Sequence, residues 1–220
     1  MARLKDQKRR TASSRAWLTR QISDPYVARA KREGFRSRAA FKLAEIDERY
    51  KVLKPGARVV DLGAAPGGWS EIAAQRVGTS GRVVALDILD MKPVPGVEFL
   101  QLDFLDPSAP ERLQAMLGSG AAGKAQANAD VVLSDMATNA TGHRQSDHLR
   151  IMALAEAAAD FARQVLAPGG AFLCKVLQGG TETKLLVELK RDFSSVKHVK
   201  PPASRTDSAE LYLLAKGFRG

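Results

Sequence analysis

The sequence predicts an α/β fold built on a seven-stranded, mostly parallel sheet, with helices on both faces and one antiparallel strand near the end. Three observations carry that expectation. Short apolar runs alternate with amphipathic stretches, the signature of strands joined by helical crossovers. The first such run, "ARVVDLG", leads into a glycine-rich turn, "GAAPGG", and then a helical pattern, the place where open sheets bind ligands. Only about ten residues join "SVKHVK" to "ELYLLAKGF", which is short for a crossover but suits an antiparallel return.

The elements follow in order. In "SDPYVARAKREGF", Asp24 is placed to cap a short helix, Pro25 fits its first turn and Gly34 ends it. "SRAAFKLAEIDERY" has Ala40, Leu43, Ala44 and Ile46 near helical spacing. Strands are expected in "ARVVDLG", "GRVVALDI", "GVEFLQLDF", "ADVVLSDM", "AFLCKVLQ", "SSVKHVK" and "ELYLLAKGF". Helices are expected in "GGWSEIAAQRV", "SAPERLQAMLG" (opened by Ser108), "HLRIMALAEAAADFARQVL" (closed by Pro168-Gly169-Gly170) and "TETKLLVELKRDF". The small, polar run at 118–129 reads as a mobile surface connection.

Composition narrows the class. The chain has 220 residues, 45% of them apolar, and no apolar run long enough to cross a membrane. The single Cys174 leaves no internal disulfide and suits a reducing compartment, and three scattered histidines argue against a zinc site. The basic N-terminus lacks the apolar stretch of a secretory signal; its Arg- and Ser-containing, acid-poor composition is shared with mitochondrial presequences. The net charge of +10 is uneven: the first forty residues hold twelve Lys or Arg against three acids. That concentration points to a polyanion, nucleic acid first. A solvated tail would have the same composition. The expected organisation is a basic, partly disordered RNA-binding segment over 1–25 and one domain over 26–220.

Several residues fall where chemistry is expected. Gly63, Gly67 and Gly68 allow tight turning and close approach of a ligand. Asp87 ends the second strand, where a carboxylate can accept from both ribose hydroxyls of an adenosine cofactor. Asp103 ends the third strand, within reach of an adenine amine. The dinucleotide pattern G-x-G-x-x-G is absent, so S-adenosylmethionine fits better than a nicotinamide dinucleotide.

Lys175, inside the apolar run "FLCKVLQ", poses a sharper question, because an ionised amine there is costly unless paired. Asp135 ends the neighbouring fourth strand. Glu210 opens the last strand, and an antiparallel direction would bring it to the same edge. Lys42 lies in the first half of the helix that leads back to strand one. Each has an ordinary structural explanation, such as Lys175 neutralising Asp135. Together they suit attack by a ribose hydroxyl on a methyl sulfonium. A lysine serves as base only if its pKa falls from about 10.4. Otherwise it orients the hydroxyl, and in-line positioning supplies much of the acceleration. The segment after Asp135, "MATNATG", lacks the Asn/Asp-Pro-Pro-aromatic run of enzymes that methylate base amines.

The stretches "RSRAAFKL", "VVDLGAAPGGWS", "VVLSDMATN", "APGGAFLCKVLQG" and "ELYLLAKG" resemble the FtsJ-type RNA ribose 2′-O-methyltransferases, nearest the large-subunit ribosomal RNA branch, over about residues 26–218. The resemblance implies a Rossmann-like S-adenosylmethionine-dependent methyltransferase fold. It implies a catalytic set at Lys42, Asp135, Lys175 and Glu210, and cofactor contacts at Gly67, Trp69, Asp87, Asp103 and Asp135. Its substrate would be a uridine ribose in large-subunit rRNA, within an assembled or nearly assembled subunit, for a monomeric, cytoplasmic enzyme. The alternatives are the same reaction on tRNA or another RNA, and a non-catalytic assembly factor. Thr138 stands where that family usually has proline, which puts the stiffness of the following loop in question.

Overall fold

The computed structural model describes residues 24–118, 128–138, 144–179 and 183–220. The first twenty residues and most of the 118–129 connection, read above from composition, lie outside them. The order is α1 (Pro25–Glu33), α2 (Ala39–Tyr50), β1 (Arg58–Leu62), α3 (Gly68–Val77), β2 (Arg82–Asp87), β3 (Val97–Gln101), α4 (Ala109–Gly118), β4 (Ala129–Ser134), α5 (Arg144–Val165), β5 (Leu166–Leu177), α6 (Thr183–Asp192), β6 (Phe193–Val199) and β7 (Glu210–Phe218).

Seven strands form one sheet in the order β3-β2-β1-β4-β5-β7-β6. The first five are parallel. β7 runs antiparallel to both its neighbours, β5 and β6, and is the one reversed strand. The short β6–β7 connection required this. The order reverses at β1, with β2 on one side and β4 on the other, so the switch point lies where the glycine turn leaves β1.

The sheet is buried on both faces. One core joins Val60, Val84, Val132 and Phe172 to apolar positions of α4, α5 and α6, including Leu113, Phe161 and Leu189. The other joins Val59, Leu133, Leu173 and Leu214 to α2 and α3 through Leu43, Ile46, Trp69 and Ile72. The strand interiors therefore read as near-continuous apolar runs rather than alternations.

Local signals explain the ends. The Asp24 carboxylate accepts from the Tyr26 N–H at 3.0 Å, and Gly34 closes α1 at φ +80. The Pro168-Gly169-Gly170 stop is displaced from its expected place. α5 ends at Val165 and β5 begins at Leu166, so these residues fall within the strand. They coincide with a register shift, from Ala129 opposite Leu166 to Val131 opposite Ala171. Proline and glycine interrupt a strand as readily as they stop a helix.

Candidate active site

The carboxyl edge of the sheet gathers groups from both ends of the chain. On β5 and β7, Lys175 and Tyr212 are directly opposite in register, and Leu177 is opposite Glu210. Opposed residues share a face, so Lys175, Tyr212 and Glu210 turn toward α2. Lys42, on α2, faces back with a side chain only 10% exposed.

The polar atoms form a connected chain. Lys42 Nζ lies 2.5 Å from Glu210 Oε1 and 3.2 Å from the Tyr212 hydroxyl. That hydroxyl lies 2.9 Å from Glu210 Oε1 and 3.0 Å from Asp135 Oδ1. Its single proton serves one carboxylate at a time. Lys175 Nζ donates to the Asp135 carbonyl at 2.7 Å and sits 3.3 Å from its carboxylate. Two ammonium groups face two carboxylates, so the partly buried charges balance. Burial works against the Glu210 carboxylate, but Lys42, Lys175 and the Tyr212 hydroxyl outweigh it and hold its pKa below the ordinary value. Burial, with the negative charges of Asp135 and Glu210, pushes the Tyr212 hydroxyl well above its usual range.

Tyr212 is the member that sequence reasoning missed. It is fully buried, and its ring packs 5.6 Å from that of Trp69. An aromatic in an apolar strand reads as core; its spacing two residues from Glu210 was the available signal.

The glycine turn lies beside this cluster. Gly63 has φ +77, and a Cβ there would come 2.7 Å from Met136 Cα. Glycine thus lets the β1–α3 turn approach the segment carrying Asp135. Gly67 caps α3 in the left-handed region, and a Cβ on Gly68 would meet Ser37 Oγ at 2.4 Å. These glycines make room for the protein's own neighbours as well as for a ligand. Trp69 as a whole residue is 2% exposed, and its indole N–H donates to the Ala39 carbonyl.

Asp87 ends β2 and accepts from the Ala65 and Leu89 N–H groups at 2.9 and 2.8 Å. Asp103 lies two residues beyond β3, is exposed, and accepts from the Leu105 N–H. Ile88, Leu89 and Leu105, which follow these acids, are each more than 60% exposed. Exposed apolar groups beside two carboxylates make a wall suited to a flat heterocycle, a feature that sequence reasoning did not pick out. Below the turn, Asp61 is fully buried. Ser70 donates to one of its oxygens at 2.6 Å, while the other has no partner among the described residues. Burial above all, with smaller contributions from Asp135 and Asp87, raises its pKa to about 7.

The FtsJ-like methyltransferase family model matches residues 35–218, which include every residue of this edge. The chain belongs to the FtsJ-like methyltransferase family. A protein of Xanthobacter autotrophicus named ribosomal RNA large subunit methyltransferase E is 63% identical over 99% of this chain and 84% of its own length. One of the same name from Parvibaculum lavamentivorans is 59% identical over 99% of this chain and 87% of its own. A crystal structure of a Plasmodium falciparum protein described as a ribosomal RNA methyltransferase superposes with a TM-score of 0.72 at 29% identity, covering 84% of this chain and all of that one.

An FtsJ-like methyltransferase uses a methyl donor of the S-adenosylmethionine type, and this edge fits one. The turn, the two strand-end carboxylates and the exposed apolar wall suit an adenosine. Asp87 and Asp135, both close enough to Asp61 for their charges to raise its pKa, suit a cationic sulfonium and ammonium. Among the described residues no helix is long and apolar enough to cross a membrane, and no cluster of metal-ligating side chains occurs.

Proposed function

We propose that this FtsJ-like methyltransferase transfers the methyl group of S-adenosylmethionine to the 2′-hydroxyl of a uridine ribose in large-subunit ribosomal RNA, within a nearly assembled subunit. The observation that carries this reading is the convergence of Lys42, Asp135, Lys175 and Glu210 on Tyr212, beside the glycine turn. The names of the bacterial relatives support the choice of rRNA.

When bound, S-adenosylmethionine supplies an electrophilic methyl group on a sulfonium. Asp87 would hold the ribose hydroxyls of its adenosine, Asp103 the adenine amine, and the backbone from Gly63 to Trp69 the remainder. Lys175 donates to the Asp135 carbonyl and pairs with its carboxylate at 3.3 Å, which leaves a donor position for the attacking 2′-hydroxyl. Asp135 and Tyr212 fix the direction of that amine, so the oxygen is held in line. Lys42 and Glu210 brace Tyr212 from the other side. Transfer would form the oxygen–carbon bond as the methyl–sulfur bond of the donor breaks and a neutral thioether leaves; the hydroxyl proton would pass to the Asp135 carboxylate beside Lys175, because both amines of the cluster are already ammonium groups. The basic segment over 1–25 holds rRNA phosphates, an attraction that weakens with salt. The protein works as a monomer in the cytoplasm.

Mapping ribose methylation on large-subunit rRNA from cells with and without the protein tests the assignment. One 2′-O-methyl uridine is expected to disappear with the protein. An unchanged map, with methyl lost from a transfer RNA instead, would overturn the choice of substrate.

A further inference from the structure

Arg36 belongs to the basic first forty residues, yet its guanidinium turns onto the protein itself. From the link between α1 and α2, its two terminal nitrogens donate to the Lys92 and Pro93 carbonyls at 2.8 and 2.5 Å. Those carbonyls belong to the connection from β2 to β3, residues 88–96, which holds no helix or strand. Two of the five N–H donors of Arg36 are thereby taken up within the protein.

Its aliphatic stem lies against the glycine turn. A Cβ added to Gly67 would come 2.9 Å from Arg36 Cδ, and 3.0 Å from both Met91 Sδ and Val94 Cγ2. At the next residue, Gly68, a Cβ would meet Ser37 Oγ. Residues 36 and 37 therefore pack on the turn, and the 88–96 connection packs beside them. Met91 and Val94 are buried with Ala64 and Ala85 in a cluster separate from the two main cores. Four buried side chains, two of them alanine, supply little apolar area. The two charge-assisted bonds from Arg36 are thus a large share of what seats the connection.

The connection carries one side of the proposed adenosine site. It begins directly after Asp87, and its first two residues, Ile88 and Leu89, are exposed apolar groups of the wall described above. Asp87 bridges the same two parts, accepting from the Leu89 N–H of the connection and the Ala65 N–H of the turn. A shift of the connection against the turn would displace the carboxylate and the wall together.

We infer that Arg36 is a positioning residue for the methyl donor: it fastens the 88–96 connection to the glycine turn and so shapes the adenosine half of the donor site. It acts through Asp87, Ile88 and Leu89. This rests on S-adenosylmethionine binding at this edge.

The test compares the full chain with Arg36→Met, which keeps the stem over Gly67 and removes the guanidinium, and Arg36→Lys, which keeps the charge on a single amine. Calorimetry should show Kd for S-adenosylmethionine and for S-adenosylhomocysteine raised alike, about tenfold, in Arg36→Met, because the two share the adenosine. Arg36→Lys should lie between, about threefold above wild type, and covers the case in which Arg36→Met fails to fold. In methyl transfer, KM for the donor should rise with Kd while kcat stays within about twofold. The log–log salt slope of RNA binding should change by less than about 0.3, against the 0.7–0.9 that one phosphate contact contributes. Amide hydrogen exchange without ligand should quicken over residues 88–96 in Arg36→Met, where a general loss of stability would quicken it across the sheet. Donor affinity within about twofold of wild type in the folded variants would overturn the inference, as would faster exchange spread evenly over the protein. A lowered salt slope with unchanged donor affinity would also overturn it and make Arg36 an RNA contact. Wild-type protein that binds neither ligand would sink the donor reading itself. Wild-type binding that Asp87→Ala weakens but the Arg36 variants do not would sink the positioning role alone.

Discussion

Replacing Asp61 by Asn isolates the cost of a carboxylate placed beneath the glycine turn. The group is fully buried, and one oxygen has no partner among the described residues. Burial chiefly raises its pKa from 3.8 to about 7, against the opposing hydrogen bond from Ser70. The unfolded chain therefore sheds this proton near pH 4 and the folded protein near pH 7. Between those values folding takes up a proton, so stability falls as pH rises, and the loss is complete above the folded pKa. A shift of roughly three units at about 1.4 kcal/mol each sets an upper figure of about 4 kcal/mol. Relaxation and water around the ion bring the expectation to about 2–4 kcal/mol. Asparagine keeps the shape and a partner for Ser70 without a charge. Urea unfolding of both proteins at several pH values from 4 to 8 reads the term as a difference of differences. Asp61→Asn should gain stability relative to wild type by that amount across the range. A gap between the two that stays flat with pH would mean that the carboxylate ionises in place at no cost, and the burial argument would fail.

Four further outcomes are expected. Lys175→Ala should lower methyl transfer by at least about a hundredfold while S-adenosylmethionine affinity stays within a few-fold by calorimetry; near-normal turnover would remove its role. Asp87→Ala should weaken S-adenosylmethionine binding by about tenfold or more, and unchanged affinity would count against a ribose contact. Tyr212→Phe should cost about 1–3 kcal/mol in urea unfolding, because one of the Asp135 and Glu210 carboxylates loses the hydroxyl's proton and Lys42 loses an acceptor; a loss under about 0.5 kcal/mol would show that water replaces the hydroxyl freely. Removing residues 1–20 should weaken RNA binding and flatten its salt dependence with little effect on S-adenosylmethionine, and equal losses in both would argue against RNA docking there.

Much of this edge was legible because charge is conspicuous where apolar residues are expected. Lys175 stands out in "FLCKVLQ", and the short connection before "ELYLL" fixed the direction of β7 and so the place of Glu210. Lys42 was harder, since an amphipathic helix shows many lysines and only packing decides which one turns inward. Tyr212 was hidden for the opposite reason, because its ring satisfies the core while its hydroxyl does separate work. Pro168-Gly169-Gly170 misled about the boundary of α5, because such residues mark an interruption without saying of which element. Arg205 donates to the Asp24 carboxylate from 181 residues away, a contact that spacing cannot reveal.

The placement of β7 has a consequence for how the protein comes into being. This strand fills the gap between β5 and β6, which have no contact ladder with each other without it. A growing polypeptide that has released everything up to residue 200 still holds an open slot, with the amine of Lys42 lacking both of its counterparts. Competence thus arrives in one step, when residues 210–218 slide home, and a prematurely ended chain would lack a working centre altogether rather than own a weakened one.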